Sequence, residues 1–152
     1  MPNKARIARK KIVVLLSAFA TLFTLTACDY FIDVENLEIQ CSTGDNDACV
    51  EAAASYLVGH RVEVDIVQSY KLFSVAAENG HVIAQLQLAS FYENGLAVDK
   101  DLFQSYVWYK AAAMQGNEKS LEKVKEISQL LTKDEISIAS ERAASFIKGI
   151  QE

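Results

Sequence analysis

Residues 44–116 are two copies of one 36-residue unit, and this repeat constrains the fold more than any other feature of the sequence. Residues 44–80 align with residues 80–116 without a gap, and thirteen of the 37 aligned positions are identical. The identical residues are those that turns and helix packing need: three glycines, four alanines, two tyrosines, one valine and one each of aspartate, glutamine and serine. A fixed period of this length is typical of a solenoid, in which each unit buries its apolar face against its neighbour. Such a surface usually binds a partner rather than performing chemistry.

Each unit predicts a pair of helices. In the second unit, apolar residues recur with a helical period over residues 81–94, and Gly95 follows where a left-handed residue is expected after a helix. Asp101 is a suitable N-cap for the second helix of this pair, which ends at Gly116. The aromatic run at 106–109 is expected in the core rather than in a ligand site. The first unit predicts helices over residues 48–58 and 66–79.

Residues 119–148 predict a third, degenerate helix pair. An apolar stripe runs through residues 119–131, at Leu121, Val124, Ile127 and Leu131. The segment Thr-Lys-Asp-Glu at 132–135 is a capping box that begins a last helix, ending at residue 148. The predicted fold class is therefore all-α: a right-handed α-solenoid of antiparallel helix pairs, with two 36-residue repeats plus a degenerate C-terminal pair.

The first 28 residues have the organisation of a bacterial lipoprotein signal. Five basic residues precede an almost wholly apolar segment at 12–25, which as a helix would be about 21 Å long. This is shorter than the roughly 30 Å hydrocarbon core of a bilayer, so a signal peptide is favoured over a membrane span. Leu-Thr-Ala at 25–27 followed by Cys28 resembles a lipobox, which implies lipidation of Cys28. An ordinary secretory signal and an uncleaved anchor helix are the alternatives.

Three segments are predicted: a signal peptide at 1–27, a short tether and partial helix at 28–40, and a repeat domain at 41–152. Removal of the signal leaves ten Lys and Arg against twenty Asp and Glu, which argues against charge-driven binding of nucleic acid or of an anionic membrane. Asp29 resembles the residue that retains lipoproteins in the inner membrane. The expected location is the cell envelope, lipid-anchored and facing the periplasm, in the inner membrane rather than the outer.

Two cysteines remain after Cys28, and an even pair in an oxidising compartment predicts a disulfide between Cys41 and Cys49. A metal site needs more ligands than this pair, and His60 and His81 are isolated in the sequence. No metal and no cofactor are therefore expected.

The repeat resembles the Sel-one-like repeat family. The pattern A-x3-[LA]-A-x2-Y-x2-G, a short loop, then S-Y-x2-[FY]-x2-AA-x2-G is similar to its signature, and the resemblance covers residues 41–147. Tetratricopeptide repeats are related, but their period is 34. The sequence departs from the pattern at residues 60–64, where Gly-x-Gly-Val is usual, and in the third pair. Secreted cysteine-rich members carry a C-x7-C like that of Cys41 and Cys49, which would join a helix at 34–41 to the first complete one.

Some cysteine-rich relatives are described as penicillin-binding proteins or weak β-lactamases. The sequence contains two S-x-x-K tetrads, which begin at Ser120 and Ser145. A serine acyl-enzyme also needs partner motifs such as S-D-N and K-T-G, and neither occurs in the sequence. No catalytic residue is therefore predicted.

In helical repeats of this type, the first helix of each pair is expected to line the concave face. On these first helices, the residues on the side opposite the apolar core stripe form a partly apolar patch with an acidic rim. Such a patch indicates a binding surface. Packing of this patch against the N-terminal fragment, or closure of the groove by curvature, is the alternative. The predicted partner-binding residues are Val50, Ala54, Leu57, Leu86, Ser90, Glu93, Glu122 and Glu126.

The predicted function is a membrane-anchored periplasmic adaptor or accessory factor that binds a protein or peptide in an envelope complex. A second possibility is an immunity-type lipoprotein that neutralises a toxin, since a small acidic chain suits a basic toxin. A third is a weak β-lactam-binding or β-lactamase-like enzyme.

Overall fold

The computed structural model describes residues 33–148, and these fold into seven helices with no strand among them. The predicted signal peptide, Cys28 and Asp29 lie outside the described residues. The all-α repeat fold expected from the sequence is confirmed. The helices are α1 (Val34–Ser42), α2 (Asn46–Val58), α3 (Ile66–Glu78), α4 (Val82–Asn94), α5 (Leu102–Met114), α6 (Glu118–Ile127) and α7 (Lys133–Lys148).

Equivalent residues begin and end the helices of both repeats. The carboxylates of Asp45, Asp65 and Asp101 each accept a backbone N–H three residues later, at 2.9–3.1 Å. The first helix of each repeat ends at a glycine in the left-handed conformation, with φ of 71° at Gly59 and 70° at Gly95. At the start of α4 the counterpart of Asp45 is His81, whose Nδ1 accepts the N–H of Ala84 at 3.3 Å. The repeat therefore preserves the N-cap aspartate of the second helix and the glycine after the first, whereas the residue that caps the first helix differs.

The predicted helix bounds agree with the structure to within two residues in the two repeats and are less accurate after them. The helix expected at residues 34–41 is α1. The capping box expected at 132–135 is present, because the N–H and the hydroxyl of Thr132 both donate to Glu135 Oε2 at 2.8 Å. The first helix of the third pair is shorter than predicted, since α6 ends at Ile127 and not at residue 131.

Small side chains lie where helices approach most closely. Within each repeat α2 packs on α3 and α4 packs on α5, and between units α3 packs on α4 and α5 packs on α6. The sequence predicts that the repeated alanines lie at these crossings. Ala113 is only partly buried, and the others are completely buried: Ala53, Ala76, Ala77, Ala89 and Ala112. An alanine lets two helix backbones approach without losing packing density, which explains why these positions repeat.

The aromatic run at 106–109 is core, as predicted. Tyr106, Trp108 and Tyr109 are all buried. The indole of Trp108 stacks on Phe146 of α7, with ring centroids 4.4 Å apart. This contact attaches the last helix to α5, where offset stacking adds to the burial of both rings.

The third pair differs from the other two in its packing. The backbone of α7 lies against α5 and approaches its sequence neighbour α6 much less closely. The apolar stripe predicted for α6 is also wrong at Leu121, whose side chain is 47% exposed. The buried stripe instead contains Ser120, Val124 and Ile127. These three share the spacing i, i+4, i+7, and Leu121 lies about 100° around the helix from Ser120.

Candidate functional site

The predicted partner-binding residues occupy equivalent positions on the first helices of successive units. Val50 and Leu57 of α2 and Leu86 of α4 are half-buried and pack against the edge of the core. Leu86 therefore contacts the core, whereas its position opposite the apolar stripe predicted that it would not. Ala54 of α2 is exposed, as are the two glutamates of α6, Glu122 and Glu126.

Three of these residues meet in one pocket of about 260 Å³ between α4 and α6. Leu86, Ser90 and Glu93 form its α4 wall. The remaining lining residues come from α4, α5 and α6, and sequence reasoning did not single them out: Gln87, Asn94, Tyr109, Lys119 and Lys123. The other five predicted residues do not line this pocket: Val50, Ala54, Leu57, Glu122 and Glu126.

A network of three charge-assisted hydrogen bonds holds the floor of the pocket. Lys123 Nζ donates to Glu93 Oε1 at 2.9 Å and to Glu126 Oε2 at 3.1 Å. The hydroxyl of Tyr109 donates to the other Glu93 oxygen, Oε2, at 2.8 Å. Both oxygens of Glu93 are therefore used, and bonds to an ionised carboxylate are about twice as strong as neutral ones.

These contacts fix the ionisation of the site. Burial raises the pKa of Glu93, but hydrogen bonds from Lys123 and Tyr109 outweigh it and hold this pKa below its usual value. The hydrogen bonds to Glu93 and Glu126 raise the pKa of Lys123. Burial, together with the hydrogen bond to Glu93, raises the pKa of the Tyr109 phenol well above its ordinary value. At neutral pH the floor is thus a carboxylate, an ammonium and a neutral phenol.

The rim of the pocket offers polar groups beside one apolar side chain. Asn94 Nδ2 donates to Ser90 Oγ at 3.1 Å, and Ser90 also forms a side-chain hydrogen bond with the Tyr109 phenol. Lys119 forms no ion pair with any residue in the described range 33–148. Leu86 supplies the apolar wall. Such a site suits a protein surface or peptide that combines an aliphatic group with hydrogen-bonding groups.

One signal in the sequence could have identified Tyr109 as a residue of this site. Its counterpart in the first repeat is Phe73, which is buried in the same way. The two positions differ by a hydroxyl group, and a buried phenol usually needs a partner. That partner is Glu93, whose own counterpart is the apolar Leu57.

The predicted disulfide between Cys41 and Cys49 is present and joins α1 to α2. The counterparts of these residues in the second repeat are Ala77 and Gln85. Here Gln85 Nε2 donates to the carbonyl oxygen of Ala77 at 3.2 Å. A covalent link in the first unit thus corresponds to a buried hydrogen bond in the second.

The two S-x-x-K tetrads have no catalytic geometry. Ser120 is completely buried, and its Oγ has no hydrogen-bond partner. The hydroxyl of Ser145 donates to the carbonyl oxygen of Arg142 within its own helix. Among residues 33–148, no three His, Cys, Asp or Glu side chains are grouped so that they could hold a metal ion. Nor does that part of the chain contain a helix with the length and hydropathy of a membrane span.

The family model that matches the chain is the Sel1 repeat, at residues 46–81 and 82–117. Each match begins with the first helix of a repeat. No curated protein sequence matches the chain.

Two solved structures have the same fold. One is c5321, a protective antigen present in uropathogenic Escherichia coli strains that displays an SLR fold; the identity is 27%, the TM-score 0.70, and the match covers 76% of this chain. The chain spans only 25% of c5321. The other is a Sel1 repeat protein from Oxalobacter formigenes, with 32% identity and a TM-score of 0.58, covering 59% of this chain and 68% of that one.

Proposed function

Because the chain belongs to the Sel1 repeat family, whose fold generally serves protein–protein interaction, we propose that it is a lipid-anchored periplasmic adaptor. Its partner is a protein or peptide of the cell envelope. The binding surface is the face formed by α2, α4 and α6, which we call the first-helix face. The pocket between α4 and α6 is the single observation that supports this surface most strongly.

The pocket supports binding because its floor is organised in advance. Glu93 is held from both sides by Tyr109 and Lys123, so it loses little freedom when a partner docks. Lys119 lines the pocket and would pair with a carboxylate or carbonyl group of a peptide. The neighbouring α2 surface, with Val50, Ala54 and Leu57, would receive an apolar part of the same partner.

The proposed location depends on the sequence before the described residues. Its basis is the order of basic residues, short apolar segment, small residues and Cys28. Lipid on Cys28 would attach the domain to the periplasmic face of a membrane. Asp29 favours the inner membrane by its resemblance to a retention signal.

An immunity-type role is the second candidate, and the acidic composition favours it. The region after the signal has twice as many acidic as basic residues, which suits a basic toxin. An immunity protein should bring down one cognate toxin, whereas an adaptor should bring down components of an envelope complex.

Affinity capture from envelope fractions tests the proposed surface with a matched pair of lysine variants. Lys119 lines the pocket, whereas Lys71 is an exposed lysine on α3, away from it. We expect K119A to lose much of the captured partner and K71A to retain it, with equal melting temperatures. Removing a charged hydrogen-bond donor typically costs about 1.5–3 kcal/mol of binding, or roughly ten- to a hundredfold in affinity. Equal capture by both variants would contradict the proposed surface.

A further inference from the structure

The ends of the helices form two edges that differ in composition. One edge consists of the turns 43–45, 79–81 and 115–117, and none of these contains Val, Leu or Ile. The other consists of the connections 59–65, 95–101 and 128–132 with the last residue of α2, and we call it the loop edge. Four exposed aliphatic side chains lie on it: Val58 (71% exposed), Val64 (59%), Leu96 (43%) and Leu130 (67%).

This row of aliphatic side chains is not explained by the packing of the repeats. Val58 and Leu130 occupy equivalent positions in the first and third units, and both remain largely exposed. Single exposed aliphatic residues are common on protein surfaces. The opposite edge has two exposed apolar side chains beside its turns, Met114 (48% exposed) at the end of α5 and Ile83 (53%) in the first turn of α4, but none within the turns. Three of the four on the loop edge lie within the connections themselves, and such a concentration marks an interaction surface.

The polypeptide also enters the repeat domain at the loop edge. α1 and α2 are antiparallel and are joined at the opposite edge by residues 43–45, so the start of α1 lies toward the end of α2. Consistent with this, Glu38 of α1 accepts a hydrogen bond from Gln68, in the first turn of α3, at 2.7 Å. The first turn of α3 directly follows the connection 59–65.

The distance from this entry point to the proposed lipid is short. Six residue steps separate Cys28 from Val34, and six fully extended residues span at most about 20 Å. A lipid on Cys28 would therefore keep the bilayer within reach of the loop edge. The opposite edge is farther away by the length of a 13-residue helix, about 20 Å.

We propose that the loop edge docks on the phospholipid surface, with its four exposed aliphatic side chains at the boundary between head groups and acyl chains. This inference rests on the lipid anchor of the proposed function. The connections 59–65 and 95–101 together hold four carboxylates and two basic side chains, and so the docking is hydrophobic and does not depend on anionic lipids. The first-helix face then stands at the side of the docked domain and stays open to a partner.

Depth-dependent quenching of tryptophan fluorescence tests the docking. The processed, lipidated protein is reconstituted in phosphatidylcholine vesicles whose acyl chains are brominated. L96W and L130W place a reporter on the loop edge, and E78W places one at the exposed end of α3 on the opposite edge. Trp108 is buried and contributes a constant background. Circular dichroism checks that each variant is folded, and mass spectrometry checks the lipid on Cys28.

We expect brominated lipid to quench both L96W and L130W, to leave E78W at the wild-type level, and to do so equally at low and high salt. Lipidated protein in which L96W and L130W are no more quenched than E78W would overturn the docking while leaving the anchor intact. If L96W is instead shielded from aqueous iodide but not quenched by lipid, a second copy or another protein covers the edge, which also overturns the proposal. Absence of lipid on Cys28 would refute the anchor itself, and the docking with it.

Discussion

Replacing Cys41 and Cys49 by alanine should release α1 from the domain without unfolding the two repeats. α1 has nine residues, fewer than the roughly 12–15 that an isolated helix needs for stability in water. The bridge spans a sequence separation of 8, for which the chain-entropy relation gives about 2.5 kcal/mol. Alanine is preferred to serine because Cys49 is completely buried, where a hydroxyl would need a new partner.

Hydrogen exchange of the backbone amides measures this release. A loss of about 2.5 kcal/mol corresponds to roughly 60-fold faster exchange through local opening. We expect the acceleration in α1, whereas the amides of α4 and α5 should keep their protection. The reason is that each unit of a solenoid contacts only its neighbours, so its terminal helix can open separately.

The second repeat provides a matched control. Ala77 and Gln85 occupy the positions of the two cysteines, one unit further along, and are already joined by a hydrogen bond. In the background without the native disulfide, A77C with Q85C should form a new bridge between α3 and α4. It should not restore the protection of α1. Two results would refute this role of the native disulfide. One is unchanged hydrogen exchange in α1 after the disulfide is removed, and the other is restored protection of α1 when the disulfide of A77C with Q85C is present.

Three further substitutions test local features. A97G should stabilise the protein by about 1 kcal/mol in urea unfolding, because Ala97 has a positive φ of 61° that glycine adopts without strain; a loss of stability would contradict this. S120A should be neutral or stabilising by a similar amount in the same assay, because its buried hydroxyl has no partner; a cost above about 1 kcal/mol would show a missed hydrogen bond. Because the folded-state pKa of Glu93 is lowered, the stability that it contributes is present above the ordinary glutamate pKa and is lost as the pH falls through the lowered value. K123M should reduce the stability lost between about pH 7 and pH 3 by about 1 kcal/mol, because it removes the ammonium beside Glu93. Thermal melts across this range measure the effect, and an unchanged pH profile would contradict the role of Lys123.

The two repeats could be predicted from the sequence because their signals are local and occur twice. Asp65 and Asp101 satisfy the first N–H groups of their helices, and Gly59 and Gly95 end the preceding ones. Each of these features depends on residues only a few positions apart. A 36-residue spacing then requires the same conformation in both copies, which is why the helix bounds are accurate there.

The third pair and the pocket could not be predicted in the same way. The position of α7 on α5 depends on the stacking of Trp108 on Phe146, 38 positions apart in the sequence. The pocket likewise depends on a lysine of α6 reaching a glutamate of α4. Periodicity shows which face of a helix is apolar, but it does not say which helix covers that face.

Comparison of equivalent positions separates the residues that maintain the fold from those that form the surface. The three interacting side chains of the pocket are Glu93, Tyr109 and Lys123, and the residues one unit earlier in the sequence are Leu57, Phe73 and Gln87. None of these three is ionisable, so the same backbone arrangement carries an uncharged surface between α2 and α4 and an ionised one between α4 and α6. By contrast, the N-cap of the second helix (Asp65 and Asp101), the glycine after the first helix (Gly59 and Gly95) and the buried alanines Ala53 and Ala89 are identical in the two repeats. A partner that spans both surfaces must therefore be asymmetric, with an apolar segment toward α2 and a polar one toward α6, and this asymmetry sets the direction in which a peptide would lie along the first-helix face.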